Sequence, residues 1–374
     1  MDFFIAIGDI QRAIKLLSVT AKTNTTSFEG QILIQTKQSS VMFSSTNGNS
    51  GLSCEFPAKV TAQGQTSVLY SKMKSFIMTF SPWNQESGVK EFHFIINHPK
   101  LKISVEIFNS NTNSSRSSLN IEQIKASANL PIITIGEPNL ILNSSIIKSA
   151  IDKSLYAIDS HGTEDFMKGM RMQLSKGNIT FTATNGKVVS DYVVSNEAGL
   201  IEGEYFLSYD FMTGLRRILV DDTQLFFEIS KQKIKISFDS VLFWANNLSY
   251  KRWPETEKVW ALYDKTVEIS REILLAGLSS FMDVFDPDDY NRVTVEMKEH
   301  KLFVSTDNSL FEYPDLSEDL SFVVDMDGKD LINSLHSLSE DDITVKCLNE
   351  RSGIILESIG FDKQKAFITN LSRR

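Results

Sequence analysis

Five histidines, two cysteines and one acidic loop are the places where this chain could hold a metal ion or a nucleophile. The loop, DVFDPDDYN (283–291), offers Asp283, Asp286, Asp288 and Asp289, carboxylates of the kind that ligate calcium. It lacks the glycine and the closing glutamate that an EF-hand loop requires, so it reads as an acidic surface loop. His93, His98, His161, His300 and His336 are scattered, and Cys54 and Cys347 lie far apart with no metal-ligand spacing. The two cysteines read as small buried apolar residues of a reducing compartment. No G-x-S-x-G and no Walker A sequence occurs, so neither a nucleophile elbow nor a phosphate cradle is on offer. The residues therefore point to no enzyme, no catalytic group, no metal and no cofactor.

Lysine and arginine carry a different chemistry. The chain is acidic, with 38 Lys+Arg against 47 Asp+Glu and a net charge of −9. Yet residues 9–22 and 68–80 carry +2 each, and 144–157 and 208–219 carry +1 each. Residues 268–281 and 326–338 carry −1 each and do not follow the bias. All six stretches have helical spacing. Basic helices on an acidic body can attract phosphates without reading bases, while the remaining surface repels polyanions. The residues that would do so are Arg12, Lys15, Lys22, Lys72, Lys74, Lys148, Lys153, Arg216 and Arg217.

The elements that must position these residues are written three times. FSSTNG (43–48), FTATNG (181–186) and FVSTDN (303–308) each place Thr three residues after Phe, followed by a turn-forming pair. Each third begins with a short apolar strand and an amphipathic helix: MDFFIAI then GDIQRAIKLL, NLILN then SSIIKSAIDKS, TVEIS then REILLAGLSS. Ser144 or Ser145 is placed to cap the second of these helices. Two alternating strands follow, the Phe-x-x-Thr turn ending the second of them. A second helix then leads into another strand pair, such as QLFFEISKQKIKISFDS (224–240). The repeated order is β-α-β-β-β-α-β-β, an α+β chain of three tandem domains at 1–128, 129–256 and 257–374. NSNTNSSRSSLN (109–120) reads as a polar connection near the first boundary, and KRWPETEKV (251–259) marks the second.

With 41% hydrophobic residues among 374, each third can bury a core of its own. No run of 18 apolar residues exists, and the opening MDFFIAIGDIQRAIKLL reads as strand and helix, not as a signal peptide. A cytoplasmic protein is expected.

DFMKGMRMQLSKGNITFTATNGKVVS, with KRWPETEKV later in the chain, resembles the bacterial DNA polymerase III beta sliding clamp family. The likeness spans the chain in order and length and is strongest over 140–260. Asn185 stands for the usual Asp, Lys187 for the usual His and Trp253 for the usual Phe, and the ending AFITNLSRR lacks the usual Met-Pro-Met tail. These departures mark a divergent member.

The resemblance implies a head-to-tail ring dimer with helices inside and sheets outside. It implies a processivity factor that encircles duplex DNA, associates with the nucleoid and tethers the polymerase catalytic subunit, the clamp loader and other proteins carrying a clamp-binding motif. Nucleotidyl transfer would belong to the polymerase assembly and not to this chain. Carried onto this sequence, the partner-peptide cleft is Met167, Thr184, Gly186, Lys187, Val189, Pro254, Val259 and Ile368. The implied interface joins 100–107, with Leu101, Ile103 and Val105, to 273–284, with Leu275, Phe281 and Val284. The alternative is a clamp-derived protein-interaction scaffold that does not encircle DNA.

Overall fold

In the computed structural model, apolar alternation turns directly into strands, and each of the six α-helices among the described residues follows a strand without a loop. The structure describes all residues except 81–90, 98, 109–113, 125–135, 197–200, 248–251, 262, 264, 282–290, 315, 317–319, 348–352, 360–362 and 372–374. The first third contains β1 (Asp2–Ala6), α1 (Ile7–Leu17), β2 (Gln31–Thr36), β3 (Ser40–Thr46), β4 (Ser50–Pro57), β5 (Lys59–Ala62), β6 (Gln65–Leu69), α2 (Tyr70–Thr79), β7 (Glu91–Asn97), β8 (Lys100–Phe108) and β9 (Ser114–Glu122). The second contains β10 (Leu140–Asn143), α3 (Ser144–Ser154), β11 (Gly169–Ser175), β12 (Gly177–Thr184), β13 (Val188–Asn196), β14 (Gly203–Ser208), α4 (Tyr209–Ile218), β15 (Gln224–Ile229), β16 (Lys233–Phe238) and β17 (Val241–Asn246). The third contains β18 (Lys265–Ser270), α5 (Arg271–Ser279), β19 (Arg292–Lys298), β20 (Lys301–Ser305), β21 (Leu310–Glu312), β22 (Phe322–Asp327), α6 (Gly328–Ser337), β23 (Asp342–Cys347), β24 (Gly353–Ser358) and β25 (Lys363–Thr369).

The second and third copies share the order β-α-β-β-β-β-α-β-β-β, two strands longer than the alternation suggests, and the first copy adds one more, β5. β6, β14 and β22 escape notice because each ends where a helix begins, with no turn residues between them. β9 is a correction. Its stretch, SSRSSLNIE, reads as a polar connection, yet it pairs with β8 in register, Leu119 opposite Ile103 and Ile121 opposite Leu101. As the last strand of its sheet it needs only one apolar face.

By contact density the chain forms two units, 1–144 with 214–247, and 145–213 with 248–374. Each holds two sheets. In the first unit an eight-stranded sheet runs β10-β15-β16-β17-β4-β3-β2-β6, and a five-stranded sheet runs β5-β1-β7-β8-β9. Its core includes Phe3 stacked on Phe94 at 4.7 Å, and the Tyr70 hydroxyl donates to the Ile14 carbonyl at 3.0 Å. In the second unit an eight-stranded sheet runs β14-β11-β12-β13-β25-β24-β23-β18, and a four-stranded sheet runs β21-β20-β19-β22. Strands of the central third thus complete a sheet in each unit.

Helix starts differ between copies. Ser270 caps α5, accepting from the Ile273 amide at 3.3 Å, and Asp327 caps α6, accepting from the Lys329 amide at 2.9 Å. Ser144 does not cap α3; its hydroxyl donates to the Val220 carbonyl at 2.7 Å and accepts from the Thr223 amide at 3.0 Å.

Candidate functional site

The Phe-x-x-Thr echo is a hydroxyl-braced turn. Thr184 donates its hydroxyl to the Val188 carbonyl at 2.7 Å and accepts from the Gly186 amide at 3.1 Å, while Asn185 Oδ1 accepts from the Lys187 and Val188 amides. Thr46 and Asn47 repeat this with Ser50, Gly48 and Asn49. Gly48 and Gly186 both sit at positive φ, +90° and +87°, where a side chain is strained. In the third copy Thr306 accepts from the Asn308 and Ser309 amides, and Asn308 is not at positive φ.

Only the middle turn has a flexible apolar side chain against its glycine. Met167, on the 3-10 turn Asp165–Lys168, puts its methyl 3.0 Å from where a Cβ on Gly186 would stand. Met167 is half-buried, Lys187 and Gly186 are exposed, and Thr184 is buried beneath them. Val189, opposite Thr184 on the β12–β13 pair, forms a small cluster with Ile355 and Phe367, covered by half-buried Val259, Trp260 and Tyr263. Pro254 lines a cavity of about 380 Å³ with Glu164, Phe166, Arg252 and Glu255. Seven of the eight expected residues are linked by contact or as chain neighbours: Met167 meets Gly186, which Thr184 braces and Lys187 follows; Val259 covers Val189; and Pro254 lines its cavity with Phe166, next to Met167.

Ile368 is the exception. Its side chain lies in the main core with Ala366, and the intervening Phe367 faces Val189. Side chains alternate along β25, so the neighbouring position supplies the surface side chain. The β13–β25 pairing sets this arrangement, Val188 opposite Ile368 and Val189 opposite Phe367.

Sequence reading did not find the polar row on the sheet of Thr184 and Val189. Arg171, Thr182 and Asp191 lie opposite one another on β11, β12 and β13. Arg171 is only 5% exposed; its guanidinium bonds Glu257 at 2.8 Å and stacks on Trp253, 4.8 Å from the ring centre. Burial works against a charged Glu257, yet the Arg171 bond holds its carboxyl below the usual range. Burial pushes Asp191 up to about 6, against the pull of the Thr182 hydroxyl at 2.5 Å and of Arg171. Burial and Asp327 push Asp330 up to about 6 beside Lys187, which pulls the other way.

The basic residues separate into two kinds. Arg12, Lys15, Lys22, Lys72, Arg216 and Arg217 are exposed, and Lys74 and Lys148 are partly so. Arg12 pairs with Asp239 at 3.3 Å and Lys22 with Glu29 at 2.7 Å. Lys153 is a correction: at 7% exposure it donates to Ser339 Oγ at 2.9 Å and lies 4.5 Å from the Tyr192 ring centre. It serves the interior and is not offered to a polyanion.

The expected interface residues are also relocated. Leu101, Ile103 and Val105 point into the core, and β8 is paired on both sides, by β7 and β9. Phe281 is buried, Leu275 is half-buried against the core, and Val284 lies outside the described residues. β9 is a terminal strand of the five-stranded sheet and β21 of the four-stranded one; Ile273 and Leu310 are 42% and 66% exposed.

Among the described residues no group of three His, Cys, Asp or Glu side chains could hold a metal ion. Most of the acidic loop and His98 lie outside the described residues. His93 bonds Asp2 at 2.7 Å and stacks on Phe4, and both cysteines are buried thiols.

No protein-family model and no curated protein matches this sequence. Solved structures match it from end to end. The DNA polymerase III beta subunit of Pseudomonas aeruginosa superposes with a TM-score of 0.86 at 14% identity, over 99% of this chain and 100% of that one. The Streptococcus pyogenes beta subunit gives 0.84 at 15% identity, over 99% and 100%. The Helicobacter pylori beta clamp, solved with a DNA ligase peptide, gives 0.81 at 12% identity, over 100% of both chains. Across the whole of its length, this chain has the fold of the DNA polymerase III beta sliding clamps.

Proposed function

We propose that this protein is a sliding clamp, a non-catalytic processivity factor that closes head to tail with a second copy around duplex DNA. The end-to-end likeness to beta clamps is the observation that carries this reading. The exposed basic residues of α1, α2 and α4, on a chain of net charge −9, support it. Sparse Lys and Arg contacts to phosphate leave DNA mobile, and ring topology keeps it from escaping. In the ring, the β9 edge of one copy meets the β21 edge of the other, with Ile273 and Leu310 covered; closure pairs the two terminal strands. Three domains per chain, at 1–128, 129–256 and 257–374, would give the ring six.

The surface around Met167, Gly186, Pro254, Val189 and Val259, with Phe367 in place of Ile368, holds a short peptide of the polymerase catalytic subunit, the clamp loader or another clamp-binding protein. The Helicobacter pylori clamp solved with a DNA ligase peptide supports a peptide as the ligand class. Burying two apolar anchors contributes about 1.5–3 kcal/mol each, which after ordering costs gives roughly micromolar, exchangeable binding. The protein works in the cytoplasm, at the nucleoid.

A scaffold reading rests on one observation: the helices of the last third carry net −1 each, not the basic bias of the others. Light scattering and DNA retention separate the two. A clamp has twice the 42.2 kDa chain mass, stays on nicked circles after loading and leaves linearised DNA by its ends. A monomer, or equal loss from both substrates, leaves the scaffold. Peptide binding is read with fluorescein-labelled peptides bearing two bulky apolar residues, the ligase peptide among them.

A further inference from the structure

The segment 252–261 runs from Trp253, held against Arg171 of β11 and Phe206 of β14, to Val259, packed against Val189 of β13, and carries Pro254 between them. Trp253 is held edge-on by Phe166 at 6.2 Å and Phe206 at 6.1 Å, and Arg171 lies against its ring at 4.8 Å. The same guanidinium bonds Glu257 at 2.8 Å, with Glu204 at 3.8 Å on its other side. One buried side chain thus grips the segment on both sides of Pro254. Phe166 adjoins Met167 in the opposite wall, so the Trp253 packing fixes both walls at once.

We propose that Arg171 is the positioning residue of the peptide cleft: through Trp253 and Glu257 it sets where Pro254 and Val259 stand relative to Met167. This deepens the peptide-binding reading and rests on it. The physical basis is geometric. A guanidinium offers a flat face to the indole and a fork of donors to a carboxylate at the same time. A lysine at this position would keep the charge and lose the face. A residue that merely filled space would be replaced by methionine without consequence for binding.

The test uses the full chain with Arg171→Met, Arg171→Lys and Glu257→Gln. Glu257 is exposed, so its variant opens no cavity in the core. Two readouts are taken: affinity for the tightest labelled peptide, and hydrogen exchange of the amides of 253–260 without peptide. The expected result is a weakening of about tenfold or more for R171M, with R171K failing to restore it and E257Q in between. Amides of 253–260 exchange faster in all three variants, while the β12–β13 hairpin keeps its protection. Unchanged affinity and exchange in both R171M and E257Q overturn the proposal. If the wild-type chain binds none of the peptides, the cleft reading fails, and the exchange readout alone decides whether Arg171 anchors the segment. Should R171M not fold, E257Q decides both points.

Discussion

Met167 and Gly186 meet so closely that a Cβ on Gly186 would stand 3.0 Å from the Met167 methyl. The contact joins a strained backbone to an adaptable side chain, and Gly48 offers the matched comparison. Its φ is +90°, but a Cβ there would meet Phe28 at an ordinary 3.5 Å. Gly48→Ala should cost about 1 kcal/mol from backbone strain alone. Gly186→Ala should cost that and also displace Met167, weakening the labelled peptide about tenfold. Thermal melts and fluorescence anisotropy on both variants give the comparison; equal peptide affinity in the two would remove Gly186 from the cleft.

Lys153 and Arg217 separate interior cations from surface ones. Lys153→Ala should lower stability by about 1–3 kcal/mol, because it removes a buried hydrogen bond and a cation–π contact. Arg217→Ala should leave the melting temperature unchanged. It should weaken DNA association and reduce the slope of log affinity against log salt by about 0.9 per lost phosphate contact. Salt titrations of binding to short linear duplexes read the slope, and a reversed pattern would return Lys153 to the DNA-facing set.

Asp191 should make stability fall as pH rises. Burial raises its folded pKa to about 6 from an ordinary value of 3.8, so the folded state binds the proton more tightly than the unfolded chain. The cost of ionising it is absent below about pH 4, grows through the window up to about 6 and is complete above it. Asp191→Asn should therefore stabilise the protein by roughly 1–3 kcal/mol at pH 7.5 and by little at pH 4. Urea midpoints across this range measure it; a destabilised Asn variant at pH 7.5 would show that the Arg171 attraction outweighs burial.

Glu357 should act with the opposite sign. It is partly buried between Lys346 and Lys365, whose bonds hold its carboxyl below the ordinary 4.5 despite desolvation. Its contribution is full above that value and is lost as pH falls through the depressed folded one. Glu357→Gln should cost about 1 kcal/mol at pH 7, with the two curves converging in acid. Parallel curves at all pH values would assign the loss to packing.

The terminal strands predict how the chain assembles. Leu310→Asp and Ile273→Asp place charge on exposed apolar positions of β21 and of α5, where desolvating it on association is unfavourable. Both variants should shift the mass in solution from two chains toward one while melting near the wild-type temperature. A substitution at buried Ile103 should instead reduce stability before assembly.

Hairpins such as β11–β12 and β19–β20 were legible because strict alternation and a short polar turn are local properties. The basic bias of the first helices was legible for the same reason, since α1 and α2 carry their charges within single turns. β9 was hidden because a terminal strand tolerates Ser and Asn on its wet face. Lys153 was misplaced because helical spacing identifies a face but not what covers it, and here Ser339 and Tyr192, far along the chain, do. Arg171 left no local signal at all, as its partners Trp253 and Glu257 lie more than eighty residues away.

What the residues determined alone was the threefold repeat, the strand pairs joined by short turns and the turn-forming pair that ends each Phe-x-x-Thr echo. Each depends on interactions within a few positions. Tertiary structure decided between Ile368 and Phe367, placed β8 inside its sheet and put Arg171 against Trp253 and Glu257. A two-residue period defines two faces of a strand equally well. Which face is core and which is covered by the 252–261 segment depends on contacts between distant strands, and only the packed sheet chooses.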